Sequence, residues 1–121
     1  LAGGQDPGTC VSNPSRQKGT AWEVAVRDYF QGRGWSECQR LATRAALDLG
    51  DLTGIPRFAI ECRDRKKFEL STNLDDAEER AVNKRCRWGV AIMKRPRHPV
   101  EGAYVLMSMA TFADILDELP A

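Results

Sequence analysis

The chain has a single histidine, His98, and its four cysteines (Cys10, Cys38, Cys62, Cys86) form no C-x-x-C pair. Both shortages argue against a zinc finger or ribbon, which needs four nitrogen or sulfur ligands at short spacings. A Ser-His-Asp triad would have to use His98, which Pro96, Arg97 and Pro99 put in an exposed turn. Neither a phosphate-cradling G-x-x-x-x-G-K nor a dinucleotide G-x-G-x-x-G is present. Ser15-Arg16-Gln17-Lys18 matches S-x-x-K but lacks the companion motifs of penicillin-recognising enzymes. No apolar run approaches the roughly 18 residues that a membrane helix needs. The first residues have neither the basic start nor the apolar centre of a signal peptide. Residues 1–12, rich in Gly and Pro, read as a flexible leader or cloning remnant, and residues 13–121 as one domain. Free thiols in a cytosolic (cytoplasmic) protein are the expected state of the cysteines. Cys62, inside an apolar run, reads as a small buried hydrophobe.

What the chain does have is the make-up of one folded domain: 121 residues, 42% hydrophobic and 29% charged. The formal charge of +1 conceals an uneven distribution. Residues 1–79 carry 11 basic and 13 acidic side chains. Residues 80–100 carry seven basic ones (Arg80, Lys84, Arg85, Arg87, Lys94, Arg95, Arg97) and no acid, and residues 101–121 four acids and no base. The central block reads either as a phosphate-binding face or as a solvated surface that keeps the protein soluble.

Apolar periodicity predicts a helix over 15–31, where Trp22, Ala25, Val26, Tyr29 and Phe30 recur at helical steps, stopped by Gly32 and Gly34. A strand is expected over 35–41, and buried strands at Phe58–Arg63, Trp88–Met93 and Ala103–Met109. A second helix is expected from Asn73, with Asp75, Asp76, Glu78 and Glu79 in its first turns and Lys84 and Arg85 near its end, as the helix dipole favours. Thr111-x-x-Asp114 reads as a capping box opening a last helix. The fold class is therefore α/β, a central mixed sheet flanked by helices in the order α-β-β-β-α-β-β-α.

Two carboxylates stand out. Glu61 interrupts an apolar strand, where a charge needs a partner or a metal. Arg63, two positions on, projects to the same face. Asp51 lies in the turn-rich Gly50-Asp51-Leu52-Thr53-Gly54-Ile55-Pro56, ten residues before Glu61, so that a chain reversal brings the two carboxylates together at a sheet edge. Two hard oxygen ligands beside a cation suit Mg²⁺ or Mn²⁺ and a phosphate. The alternative is a structural ion pair, Glu61–Arg63 or Asp51 with an arginine.

Asp51…Glu61-Cys62-Arg63 resembles the D…E-x-K signature of the PD-(D/E)XK nuclease superfamily. The context adds to it: Lys18-Gly19-Thr20…Glu23 on the first helix, the G-D-L-x-G-I-P turn, and Ala91-Ile92-Met93-Lys94-Arg95 ending a later strand. The pattern is similar to small phage and prophage nucleases related to Holliday junction resolvases, and covers residues 13–119. The resemblance implies a restriction-endonuclease-like core and a metal-dependent DNA endonuclease that is structure-selective and acts as a homodimer on branched DNA. It also implies Asp51, Glu61 and the Cys62 carbonyl as ligands of Mg²⁺ or Mn²⁺, with Glu23 facing the site from the first helix. Read from the helix alone, Glu23 pairs with Arg27. Arg63 stands where the family has lysine. It stays protonated, so it orients water and stabilises charge rather than abstracting a proton, and Lys66, Lys67 or Lys94 would supply the missing amine. Phosphate contacts are expected from Lys18, Thr20, Arg40, Arg44, Arg65, Lys66, Lys67, Lys94 and Arg95. Two other readings stay open: a nuclease-fold DNA-binding protein with little or no activity, and a small module that meets an acidic protein partner.

Overall fold

The computed structural model describes residues 14–41 and 50–121. The expected leader, Cys10, the stretch 42–49 and Arg44 lie outside the described residues. The elements are α1 (Pro14–Gly32), β1 (Gln39–Arg40), β2 (Leu52–Thr53), β3 (Phe58–Arg63), α2 (Leu70–Lys84), β4 (Trp88–Met93), a 3₁₀ turn (Val100–Gly102), β5 (Tyr104–Leu106) and α3 (Met109–Glu118). They form an α/β fold with one five-stranded mixed sheet, ordered β1-β2-β3-β4-β5. Only β3 and β4 are parallel, in register from Phe58 opposite Trp88 to Arg63 opposite Met93. That pairing needs a crossover, and α2 supplies it.

Strand alternation divides the core in two. Ile60, Cys62, Val90 and Ile92 pack with Trp22 and Val26 of α1 and with Leu52 and Cys38. On the opposite face Ala91 and Met93 pack with Ala77 of α2. The indole of Trp22 donates to the Ile92 carbonyl at 3.0 Å, which fixes α1 across the sheet. A Cβ at Gly89 would collide with the Ala77 carbonyl, so the absence of a side chain there sets how close α2 lies to β4.

Several boundaries differ from expectation. The strand over 35–41 shrinks to Gln39–Arg40, because Trp35 to Cys38 form a turn closed by Cys38 N–H to Trp35 O at 3.0 Å, and Trp35 is left exposed. The last strand is Tyr104–Leu106 only. Helix α2 starts three residues early, at Leu70, so its acids lie beyond the first turn; Lys84 is in the last turn and Arg85 caps the end with φ 57°. Ser108, not Thr111, caps α3: its Oγ accepts from Thr111 N–H at 3.0 Å. Asp114 is turned to Trp88, whose Nε1 donates to it at 3.2 Å.

Candidate active site

The site is assembled by strand parity. Ile60 and Cys62 face α1, so Glu61 and Arg63 emerge on the α2 face. Leu52 is paired with Ile60, which sends Asp51, one residue earlier, to the face of Glu61. The Asp51 N–H donates to Ile60 O at 2.8 Å, and its Oδ2 accepts from Cys62 N–H at 2.7 Å. Gly50 has φ +98°, and a Cβ there would stand 3.0 Å from Ile60 O and 3.5 Å from Glu61 Oε2. The turn can thus fold onto the carboxylate only with glycine at that position. The expected sheet edge is not where this happens: β3 is the middle strand of the five, because β1 and β2 extend the sheet beyond it.

Arg63 is the hub. Its Nη2 lies 2.6 Å from Glu61 Oε1 and 3.6 Å from Asp76 Oδ2 of α2. Its Nη1 lies 3.5 Å from Asp51 Oδ2 and donates to the Cys62 carbonyl at 3.0 Å. Arg80, one turn along α2 from Asp76, puts Nε 3.9 Å from Glu61 Oε2. The Glu61 side chain is 3% exposed. Burial pushes its carboxyl up to about 7, the Asp51 charge adds to this, and Arg63 and Arg80 pull it back. Burial works against the Arg63 charge, but Glu61, Asp51 and Asp76 outweigh it and hold the guanidinium above its ordinary value. Glu61 Oε2 is buried and accepts no hydrogen bond. Burial likewise raises the Cys62 thiol, which keeps it protonated and unreactive; its main-chain carbonyl is the part that faces the site.

A basic groove of about 330 Å³ begins at Asp64, the residue after Arg63, and none of Asp51, Glu61 and Arg63 lines it. It lies at the C-terminal ends of β3 and β4, where open parallel sheets bind ligands. Lys18, Asp64, Arg65, Lys66, Lys94, Pro96 and Arg97 line it. Asp64 sits between the ammonium groups of Lys18 (3.5 Å) and Lys94 (3.9 Å).

Of the expected residues, Asp51, Glu61, Arg63 and the Cys62 carbonyl converge, and Lys18, Arg65, Lys66 and Lys94 surround the groove. Lys67 is exposed beside them, and Thr20 is half-buried on α1. Glu23 does not join the carboxylate pair. Its Oε1 takes Arg40 Nε at 3.0 Å, and its charge acts on the Cys62 thiol on the α1 face. Arg27, its expected partner, binds Asp28 at 2.9 Å instead. Arg95 lies over the Tyr104 ring at 5.5 Å. The basic block of residues 80–100 is not one face. Arg80 turns to Glu61, Lys84 donates to the Leu52 and Phe58 carbonyls at 3.4 and 3.3 Å, and Arg87 binds Glu118 at 2.6 Å. Asp64, Asp76 and Arg80 were not singled out from the sequence. For the last two a signal existed: Ala77 and Ala81, the small residues beside them, mark the face of α2 that meets the sheet.

Among the described residues no group of three or more His, Cys, Asp or Glu side chains forms a metal-ligand set. The hard donors at the site are two carboxylates and one carbonyl. Among the described residues no helix is long and apolar enough to cross a membrane. Comparison of the chain with family models, curated proteins and solved structures gave no match.

Proposed function

We propose that the protein is a divalent-metal-dependent nuclease with a restriction-endonuclease-like core that hydrolyses phosphodiester bonds in DNA. The observation that carries this reading is the meeting of Asp51, Glu61 and Arg63 on one face of the sheet; a groove lined by five cations begins one residue further along the chain, at Asp64. A structural ion pair alone does not explain a buried carboxylate oxygen, Glu61 Oε2, that accepts no hydrogen bond.

The donor set fits Mg²⁺ or Mn²⁺. Asp51, Glu61 and the Cys62 carbonyl offer hard oxygens, and Mg²⁺ takes one or two carboxylates and keeps several waters. When bound, the ion lowers the pKa of a coordinated water and offsets phosphate charge. Glu61 has to be ionised to serve. Arg63 stays protonated, so it donates hydrogen bonds to phosphate oxygens and does not act as the base. Lys18, Arg65, Lys66, Lys94 and Arg97 would hold the backbone without reading sequence. Branched DNA is the substrate class this suits, cut by a homodimer in the cytoplasm. In support of self-association, Asp114 and Glu118 of α3 are engaged by Trp88 and Arg87, and Met109, Phe112, Leu116 and the capping Leu119 are left exposed at steps of three and four residues.

The test is cleavage of four-way junction, flap and linear duplex DNA with Mg²⁺ or Mn²⁺ by wild type and Glu61→Ala. Cleavage by wild type alone supports the reading; failure of metal-replete wild type to cut any of them overturns it. Salt-sensitive binding without cleavage would instead favour a DNA-binding protein on the same fold.

A further inference from the structure

Arg63 occupies the ground that a divalent ion would need. Its two terminal nitrogens engage Glu61 Oε1, Asp51 Oδ2 and the Cys62 carbonyl, one oxygen from each donor group named above. A guanidinium and a divalent ion on those same oxygens repel each other at close range, since Mg²⁺ requires direct contact at about 2.0–2.1 Å. The same guanidinium has a fourth oxygen within reach, Asp76 Oδ2 at 3.6 Å from Nη2, carried on α2 rather than on the sheet. Asp76 is 35% exposed against 3% for Glu61, so it faces the solvent side of the cluster. Arg80 stays near Glu61 Oε2 from the same helix. Three carboxylates therefore meet two guanidiniums, and one of the two bridges all three.

We propose that Arg63 is a displaceable internal counter-cation that neutralises Asp51 and Glu61 in the metal-free protein and shifts onto Asp76 when a divalent ion takes them, which makes Asp76 a positioning residue for Arg63. This rests on the metal-dependent reading of the site. Two physical terms drive the exchange. Removing the guanidinium from a buried carboxylate without replacement is costly, so Arg63 leaves only as the ion arrives. Asp76 keeps the displaced charge paired and close, so that Arg63 remains positioned to meet a phosphate on the solvent side. A lysine, with a single point charge, could not bridge three carboxylates in this way.

The test is Mn²⁺ binding by the full chain, without DNA, measured by calorimetry for wild type, Arg63→Gln, Asp76→Asn and the double variant, each first shown to be folded by circular dichroism. Arg63→Gln is expected to bind Mn²⁺ about tenfold or more tightly than wild type, because the competitor is gone. Asp76→Asn is expected to weaken binding in the wild-type background and to change nothing once Arg63 is removed. That coupling separates a parking place from the general attraction of a nearby negative charge, which would persist in both backgrounds. Equal or weaker binding by Arg63→Gln overturns the proposal and leaves the metal-dependent reading standing, as does an Asp76→Asn effect of the same size in both backgrounds. No Mn²⁺ binding by any variant removes the metal reading and this inference with it. If Arg63→Gln does not fold, the comparison of wild type with Arg63→Lys serves: the shorter reach of lysine predicts tighter Mn²⁺ binding, and unchanged or weaker binding overturns the exchange.

Discussion

Glu61 takes a proton more readily in the folded chain than in the unfolded one, since its carboxyl rises from 4.5 to about 7 on burial. Between those values the native state holds the proton that the unfolded state has released. Stability of the metal-free protein therefore falls as pH rises from about 4.5 to about 7, and is flat with respect to this group outside that window. Glu61→Gln removes the titrating proton and keeps the shape. We expect the loss of Tm between pH 5 and pH 7.5 in metal-free buffer to be clearly smaller in Glu61→Gln than in wild type. Parallel Tm profiles for the two proteins would show that Glu61 does not titrate in this window. With Mn²⁺ present the direction reverses for binding: affinity should climb through pH 7, because the ligand is the ionised form. Glu61 stands out in the sequence for the same reason that it titrates high, a charge directly after Phe58-Ala59-Ile60 with no local means of hydration. Arg63 was legible through period-two alternation. Asp76 and Arg80 are harder to read: Ala77 and Ala81 mark the face of α2 that meets the sheet, but nothing local says that the acid and the base beside them reach Arg63 and Glu61 rather than solvent.

At the scale of elements, the two central strands were readable because β3 and β4 are buried on both faces and so appear as short apolar runs. The peripheral strands β1 and β5 are two and three residues long, and pairing rather than composition defines them. Helix starts failed for a related reason. Asp75 and Asp76 read as first-turn acids, but the helix begins earlier and Asp76 reaches Arg63; Thr111 reads as a cap, although the cap is the serine three residues before it. Ser108→Ala should therefore cost about 1 kcal/mol, read by urea melts, and a threonine hydroxyl lost in Thr111→Val should cost less if Ser108 is the cap. Gly89→Ala is the harsher test. The added Cβ meets the Ala77 backbone, which cannot move without lifting α2 off β4. A loss of about 2 kcal/mol or more is expected, together with weaker Mn²⁺ binding, because α2 carries Asp76 and Arg80. A fully stable Gly89→Ala protein would mean that α2 sits further from the sheet than described.

For the whole molecule, the near-neutral total hides an arrangement, and not the one suggested by counting along the chain. The cations that line the groove come from three separated segments (Lys18; Arg65 and Lys66; Lys94 and Arg97), gathered where α1 passes the ends of β3 and β4. Three of the seven cations of the contiguous basic block are spent internally: Arg80 on Glu61, Lys84 on the Leu52 and Phe58 carbonyls, and Arg87, with Arg57, on Glu118; both of these arginines lie over Trp88, at 4.8 and 5.1 Å, which clamps α3 to the sheet. With Asp114 held by Trp88 and Glu118 by the clamp, α3 and its capping Leu119 present Met109, Phe112, Leu116 and Leu119 outward, between 48% and 81% exposed. Antiparallel pairing of two copies about a two-fold axis sets the ends of this stripe against each other and brings Asp117 to the first turn of the facing helix, where the dipole favours an acid. Leu116→Glu puts a charge near that axis twice over while leaving the Arg57–Glu118–Arg87 clamp untouched. Wild type is expected to sediment as a dimer and Leu116→Glu as a monomer with the same far-ultraviolet spectrum and nearly the same Mn²⁺ affinity, because Asp51, Glu61 and the Cys62 carbonyl, which would hold the ion, lie within one chain. Paired incisions on a four-way junction should become single nicks. A monomeric wild type at micromolar concentration, or a dimer that Leu116→Glu leaves intact, would exclude α3 as the contact.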